Sequence, residues 1–149
     1  MIRAFLDASV LFSAADSKNG ASREIVRLGI RGHVELWVSA YVLEEARRNL
    51  ATKAPEAVPV FENLLQAAGF HEASPTAAQV REAARYTEFK DAPVVAAALR
   101  ARATHLTSHD TKHLVGDVNV AKASGLSIIS PRDLLQAIRD DTTTSKHRA

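Results

Sequence analysis

Ile2-Arg3-Ala4-Phe5-Leu6-Asp7 is a short apolar run that stops on a carboxylate. It is too short, and too soon interrupted, for a signal peptide. Residues 21–32 set Ile25, Val26, Leu28 and Ile30 among Arg23, Arg27 and Arg31, which predicts a helix. Residues 33–39 alternate and are rich in β-formers, which predicts a second strand. Ser39 stands where an N-cap belongs for a helix through about Lys53, with Val42, Leu43, Ala46 and Leu50 on one side.

Residues 58–68 predict a further helix stopped by Gly69, and Ser74-Pro75 signals another through Tyr86. Asp91-Ala92-Pro93 opens an Ala-rich helix over 94–103. Residues 105–108 form a third strand, 117–124 a helix stopped by Gly125, and 126–130 a fourth strand. Ser130-Pro131-Arg132-Asp133 reads as a capping box for a last helix with Leu134, Leu135 and Ile138 inward. Trp37 reads as a core residue, residues 1–139 as a single domain, and 140–149 as a polar, frayed tail.

Strands alternating with helices predict an α/β fold: a three-layer sandwich with a mostly parallel four- to five-stranded sheet and helices on both faces. The chain has 149 residues, 46% hydrophobic and 24% charged, which excludes a disordered or collagenous class. The formal net charge of +2 is too small to argue nucleic-acid binding from bulk charge. There is no cysteine, so zinc knuckles, thiol catalysis and disulfides are excluded. No stretch has the apolar length of a membrane span, and the expected location is cytoplasmic.

In parallel α/β sheets ligands gather at the carboxyl ends of the strands. Asp7 follows the first strand, Glu44 and Glu45 lie early in the helix after the second, Asp91 sits at a helix start, and Asp110 lies just past the third strand. Four carboxylates are thereby expected on one rim. Each has a plainer reading as well: Asp7 as a turn residue, Asp91 as a helix cap, Glu44 and Glu45 as a solvated face, Asp110 as a loop residue with Asp117 nearby. Clustered carboxylates repel and raise one another's pKa unless a cation neutralises them. Oxygen-only donors favour a hard ion, Mg²⁺ or Mn²⁺, which suits phosphodiester chemistry.

These residues resemble the PIN-domain ribonucleases, which include the VapC-type toxins. The likeness spans about 2–138 and rests on four pieces in order: Phe5-Leu6-Asp7-Ala8-Ser9-Val10-Leu11, the segment 39–50 with its inward Glu, Phe89-Lys90-Asp91-Ala92-Pro93-Val94, and Leu106-Thr107-Ser108-His109-Asp110. In the family pattern the acid precedes a Leu by five, which selects Glu45. The resemblance implies a Mg²⁺- or Mn²⁺-dependent endoribonuclease, often a homodimer, with an antitoxin protein as partner. Carried across, Asp7, Glu45, Asp91 and Asp110 hold the metal, while Ser9 and Ser108 orient the site. Ala8 stands where Thr or Ser is common and Ser108 where Thr is usual. RNA also requires cations beside the acids, and Arg47, Arg48, Lys90, Lys112 and His113 are the candidates. Few aromatics argue against stacking along a long strand.

The competing readings are a non-catalytic PIN-like module that binds RNA or protein, and a phosphoacceptor domain built on Asp7. The latter lacks a convincing second acid beside the first.

Overall fold

Five short strands make one sheet: β1 (Arg3–Leu6), β2 (Glu35–Val38), β3 (His71–Glu72), β4 (His105–Thr107) and β5 (Ser127–Ile129). In the computed structural model, which describes residues 1–148, their order is β3-β2-β1-β4-β5 and every pairing is parallel. Parallel neighbours need crossover connections, which the helices supply. These are α1 (Ala8–Asp16), α2 (Ala21–Ile30), α3 (Ala40–Lys53), α4 (Val58–Ala68), α5 (Ala77–Ala83), α6 (Ala92–Arg100), α7 (Val118–Ser124) and α8 (Pro131–Arg148).

Successive strand residues point to opposite faces. Ala4, Phe5 and Leu6 of β1 are nevertheless all fully buried, as are Leu106 and Thr107 of β4. Both faces of the sheet's centre are therefore covered, and the fold is an α/β sandwich. At the sheet edge β3 is exposed and only two residues long. Next to it, Trp37 is half-buried rather than core, stacked on His71 with its Nε1 donating to Glu35.

Four local readings need correction. The sequence reading placed no element at α1, because Val10 and Leu11 continue the apolar character of β1; the Asp7 carboxylate accepts from the Ala8 N–H at the helix entry instead. The α5 cap is Thr76 and not Ser74: Thr76 and Gln79 form a reciprocal capping box, and the helix ends at Ala83. Asp91 occupies the cap position of α6, but its side chain makes no capping bond. Finally, α8 runs on through the segment read as a frayed tail from residue 140. Neither Pro nor Gly interrupts it there, Gln136 donates to Asp140, and the Thr142 and Thr143 hydroxyls donate back to the carbonyls of Ile138 and Arg139.

Gly29, inside α2, packs directly against Leu36 of β2. A methyl group there would overlap Leu36 Cδ1 and sit 2.9 Å from its Cγ, and Leu36 is buried. Helix propensity alone favours Ala over Gly by about 1 kcal/mol. Overpacking wins here, so Gly29→Ala is expected to lower stability by about 1–3 kcal/mol in urea unfolding. Combined with Leu36→Ala it is expected to cost less than the two single changes added together.

Candidate active site

The strand order reverses between β1 and β4, and open parallel sheets form their ligand crevice at such a point. The ladder continues one step past β1, where the Asp7 N–H donates to the Thr107 carbonyl at 3.1 Å. This carries Asp7 and the segment after β4 to the same edge. The buried Ser108 hydroxyl donates to Asp7 Oδ2 at 2.7 Å and accepts from the Asp110 N–H at 2.9 Å. The Ser9 hydroxyl also reaches Asp7 Oδ2, at 3.3 Å, and accepts from the His109 N–H.

Glu45 arrives on α3, whose start is set by Ser39 accepting from the Val42 N–H. Tyr41, Glu45 and Asn49 are four residues apart, share one helix face and line the cleft together. Glu44 points elsewhere: its side chain is 78% exposed and pairs with Arg48 at 3.8 Å. Asp91 enters from a 3-10 turn, Phe89–Asp91, that leads into α6. It is 8% exposed, and its Oδ2 is buried with no hydrogen-bond partner. Asp110 is held in place by the N–H groups of Lys112 and His113, both donating to Oδ1. Asp117 caps α7 through Asn119 and Val120, which accounts for it structurally.

Asp7, Glu45, Asp91 and Asp110 thus line one cleft of about 210 Å³, together with Ser9, Tyr41, Asn49, Lys90 and Val94. Tyr41 and Asn49 were missed in the sequence, although their spacing from Glu45 was visible. Lys90 lies 3.8 Å from Asp110. The other cationic candidates stand outside the cleft lining. Arg47 is held by Glu62 at 2.8 Å over the Phe61 ring, Lys112 contributes its backbone N–H to Asp110, and His113 lies 3.6 Å from Glu88. Arg48 is also outside the lining, but its charge is felt at Glu45.

The acids have different environments. Burial, then the neighbouring Asp7, raises the Glu45 pKa against the opposing pull of Arg48 and Lys90. Burial also pushes Asp91 up to about 6; Lys90 opposes this, while Asp110 and Asp7 add to it. At Asp110 burial works against the charge, but the N–H groups of His113 and Lys112, helped by Lys90, outweigh it and hold the carboxyl below its ordinary value.

Among the described residues, no three His, Cys, Asp or Glu side chains stand close enough to grip a metal ion directly. Mg²⁺ ordinarily keeps several waters and uses one or two carboxylates. An all-oxygen donor set with an orphaned Asp91 oxygen fits such a hydrated ion.

Three solved structures are similar in fold. PAE2754 from Pyrobaculum aerophilum shares 18% identity over 93% of this chain and 90% of its own, with a TM-score of 0.64. VapBC2 from Rickettsia felis, bound to a DNA fragment from its promoter, shares 12% over 87% and 98%, with a TM-score of 0.60. FitAcB from Neisseria gonorrhoeae shares 18% over 86% and 97%, with a TM-score of 0.55. No curated protein matches the sequence. A PIN-domain model matches residues 3–112, from the first residue of β1 to just past the last acid of the cleft, and the chain belongs to the PIN-domain family.

Proposed function

We propose that the chain is an endoribonuclease that hydrolyses RNA phosphodiester bonds with Mg²⁺ or Mn²⁺ held by Asp7, Glu45, Asp91 and Asp110. The observation that carries this reading is Asp91 Oδ2, buried without a partner in a cleft shared with three other carboxylates. A bound divalent ion supplies Lewis acidity toward the phosphoryl oxygen and acidifies water. Ser108 and Ser9 orient the Asp7 carboxylate. Lys90 offers a charge to the substrate phosphate. Glu45, its pKa raised by burial, is suited to accept a proton from the attacking water. Arg48 and Lys112 flank the cleft as RNA-backbone contacts; Arg47, paired with Glu62, is left out.

The likeness to VapBC2 and FitAcB supports a toxin role with an antitoxin protein as partner; a homodimer acting in the cytoplasm is part of the same proposal. Among the described residues no helix is long and apolar enough to cross a membrane.

The lack of three acids at gripping distance favours a second reading, a non-catalytic PIN-like module that binds RNA or protein. Calorimetric titration separates the two: Mn²⁺ binding tighter than millimolar supports the nuclease, and its absence supports the module.

Purified protein is expected to cut RNA with Mg²⁺ or Mn²⁺ and to stop on chelation. Asp7→Asn is expected to reduce cleavage about 100-fold or more. Ser108→Ala, which removes a partner of Asp7, is expected to cost about 10- to 100-fold. Equal rates for Asp7→Asn and the native protein reject the assignment.

Asp91 also predicts a pH dependence in metal-free buffer. Between its ordinary value of 3.8 and about 6, the folded state binds the proton more tightly than the unfolded state does. Stability therefore falls as pH rises through that window, by about 3 kcal/mol at most. Asp91→Asn is expected to be more stable than the native protein at pH 7.5 by about 1–3 kcal/mol, with the gain gone near pH 4, in paired urea melts.

A further inference from the structure

A second cavity, of about 340 Å³, abuts the acidic cleft: Ser9 and Asn49 line both. The rest of its wall is Phe12, Ser13, Lys53 and His109, so among the described residues no carboxylate lines it. It lies between α1 and α3, which pack against each other. On α3 the ridge Tyr41, Glu45, Asn49 that serves the cleft continues by one more step of four residues to Lys53. On α1, Ser9, Phe12 and Ser13 stand at steps of three and four and face the same space. The Ser9 hydroxyl is already engaged, donating to Asp7 Oδ2 and accepting from the His109 N–H. The His109 ring lies with Nε2 3.5 Å from the Ser22 hydroxyl. Among the described residues, the Ser13 hydroxyl, the Asn49 amide and the Lys53 ammonium make no hydrogen bond or ion pair. A cationic cavity with polar groups to spare therefore stands beside an anionic cleft.

We propose that this cavity is the subsite for the nucleotide next to the cut, with its phosphate on Lys53 and its base edge on Ser13 and Asn49, so that it sets a base preference on one side of the scissile bond. The proposal rests on the ribonuclease reading and deepens it. A nucleotide carries a partner for each group in the lining: an anion for Lys53, a base with donor and acceptor edges for Ser13 and Asn49, and an apolar face for Phe12. The volume falls at the low end of small-ligand cavities, which suits one nucleotide and not a long segment. The shared wall sets the order: a strand whose phosphate sits in the cleft passes Asn49 with its next residue. Lys53 also lies in the last turn of α3, where a cation favours the helix end. That accounts for the charge but not for the cavity in front of it. A protein segment is less favoured, because Phe12 alone among the described lining residues is apolar and leaves such a segment little to bury.

The test titrates the full chain with each of the four 5′-nucleoside monophosphates and with inorganic phosphate, followed by NMR in metal-free buffer, where the carboxylates of the cleft repel the probe. One nucleotide is expected to bind at least about 5-fold tighter than phosphate and to shift the amide signals of Ser13, Lys53 and His109. Lys53→Gln is expected to weaken it about 3- to 10-fold and Lys53→Arg to retain it. Ser13→Leu fills the cavity and is expected to abolish binding; melting curves check that it folds, and Lys53→Gln, at an exposed position, carries the test if it does not. No nucleotide binding, phosphate binding as tight as the best nucleotide, or full binding in a folded Ser13→Leu overturns the subsite; the cavity then serves a protein partner or a bare anion. Cleavage by the native chain with Mg²⁺ or Mn²⁺ is assayed separately on oligoribonucleotides varied at the residues flanking the cut. A base preference of about 5-fold or more in kcat/KM on one side is expected, and its loss in Lys53→Gln and Ser13→Leu. Nucleotide binding without cleavage fails the ribonuclease reading alone, and cleavage without nucleotide binding or base preference fails the subsite alone.

Discussion

β1 is the centre of the molecule. Its backbone pairs with β2 on one side and β4 on the other, and its side chains are sealed on both faces. Because the sheet runs outward from β1 in opposite directions, the segments leaving β1 and β4 separate at their carboxyl ends and open a crevice between them. The Asp7 N–H to Thr107 carbonyl bond keeps the two strands in register up to the lip of that crevice. One further step along, the Ser108 hydroxyl bridges the Asp7 carboxylate and the Asp110 backbone. Residues more than a hundred positions apart in sequence therefore meet because two parallel strands share a register.

What meets there is electrostatically unfavourable. Four carboxylates share a small cleft, and the described cations near it, Lys90 and Arg48, only partly offset them. The fold tolerates the cluster by treating its members differently. Asp110 is compensated by two backbone N–H groups, and Asp7 by two hydroxyls and the Ala8 N–H. Asp91 receives no such bond at Oδ2. A buried carboxylate oxygen with no partner costs stability that nothing else in the fold requires.

Much of this could be read in the sequence, and the failures have physical causes. The β1 run, the Ser39 cap, the Gly69 and Gly125 helix stops and the bounds of α4 rest on local chemistry, and all appear in the structure. Helix α1 was missed because a buried helix following a buried strand shows no break in hydrophobicity. β3 was missed because two exposed residues carry no period; β2 alone defines it. Between Glu44 and Glu45, helical phase decides, and the structure brings Glu45 inward. Only the plainer reading of Asp91, as a helix cap, fails: the carboxylate makes no capping bond to the free N–H groups of α6 and lines the cleft instead. Exposure of an aromatic ring is likewise invisible in composition, which gives 5% aromatic residues without saying that Tyr41 lines the cleft.

The unequal compensation of the acids gives the proposed site an internal order. Asp110 is already satisfied by protein donors and held below its ordinary pKa, so a cation adds least to it. In the proposed site Asp110 would position Lys90 and the loop after β4 as much as coordinate. Asp91 has most to gain: an ion or its bound water would supply the partner that Oδ2 lacks and would offset the cost of its burial. Glu45 lies between these extremes, raised by burial and by Asp7 yet moderated by two nearby cations. On the proposed reading, Asp91 would be the first holder of a cation at this cleft, Asp7, already aimed by Ser108 and Ser9, would be the second, and Glu45 would remain the acid freest to handle a proton.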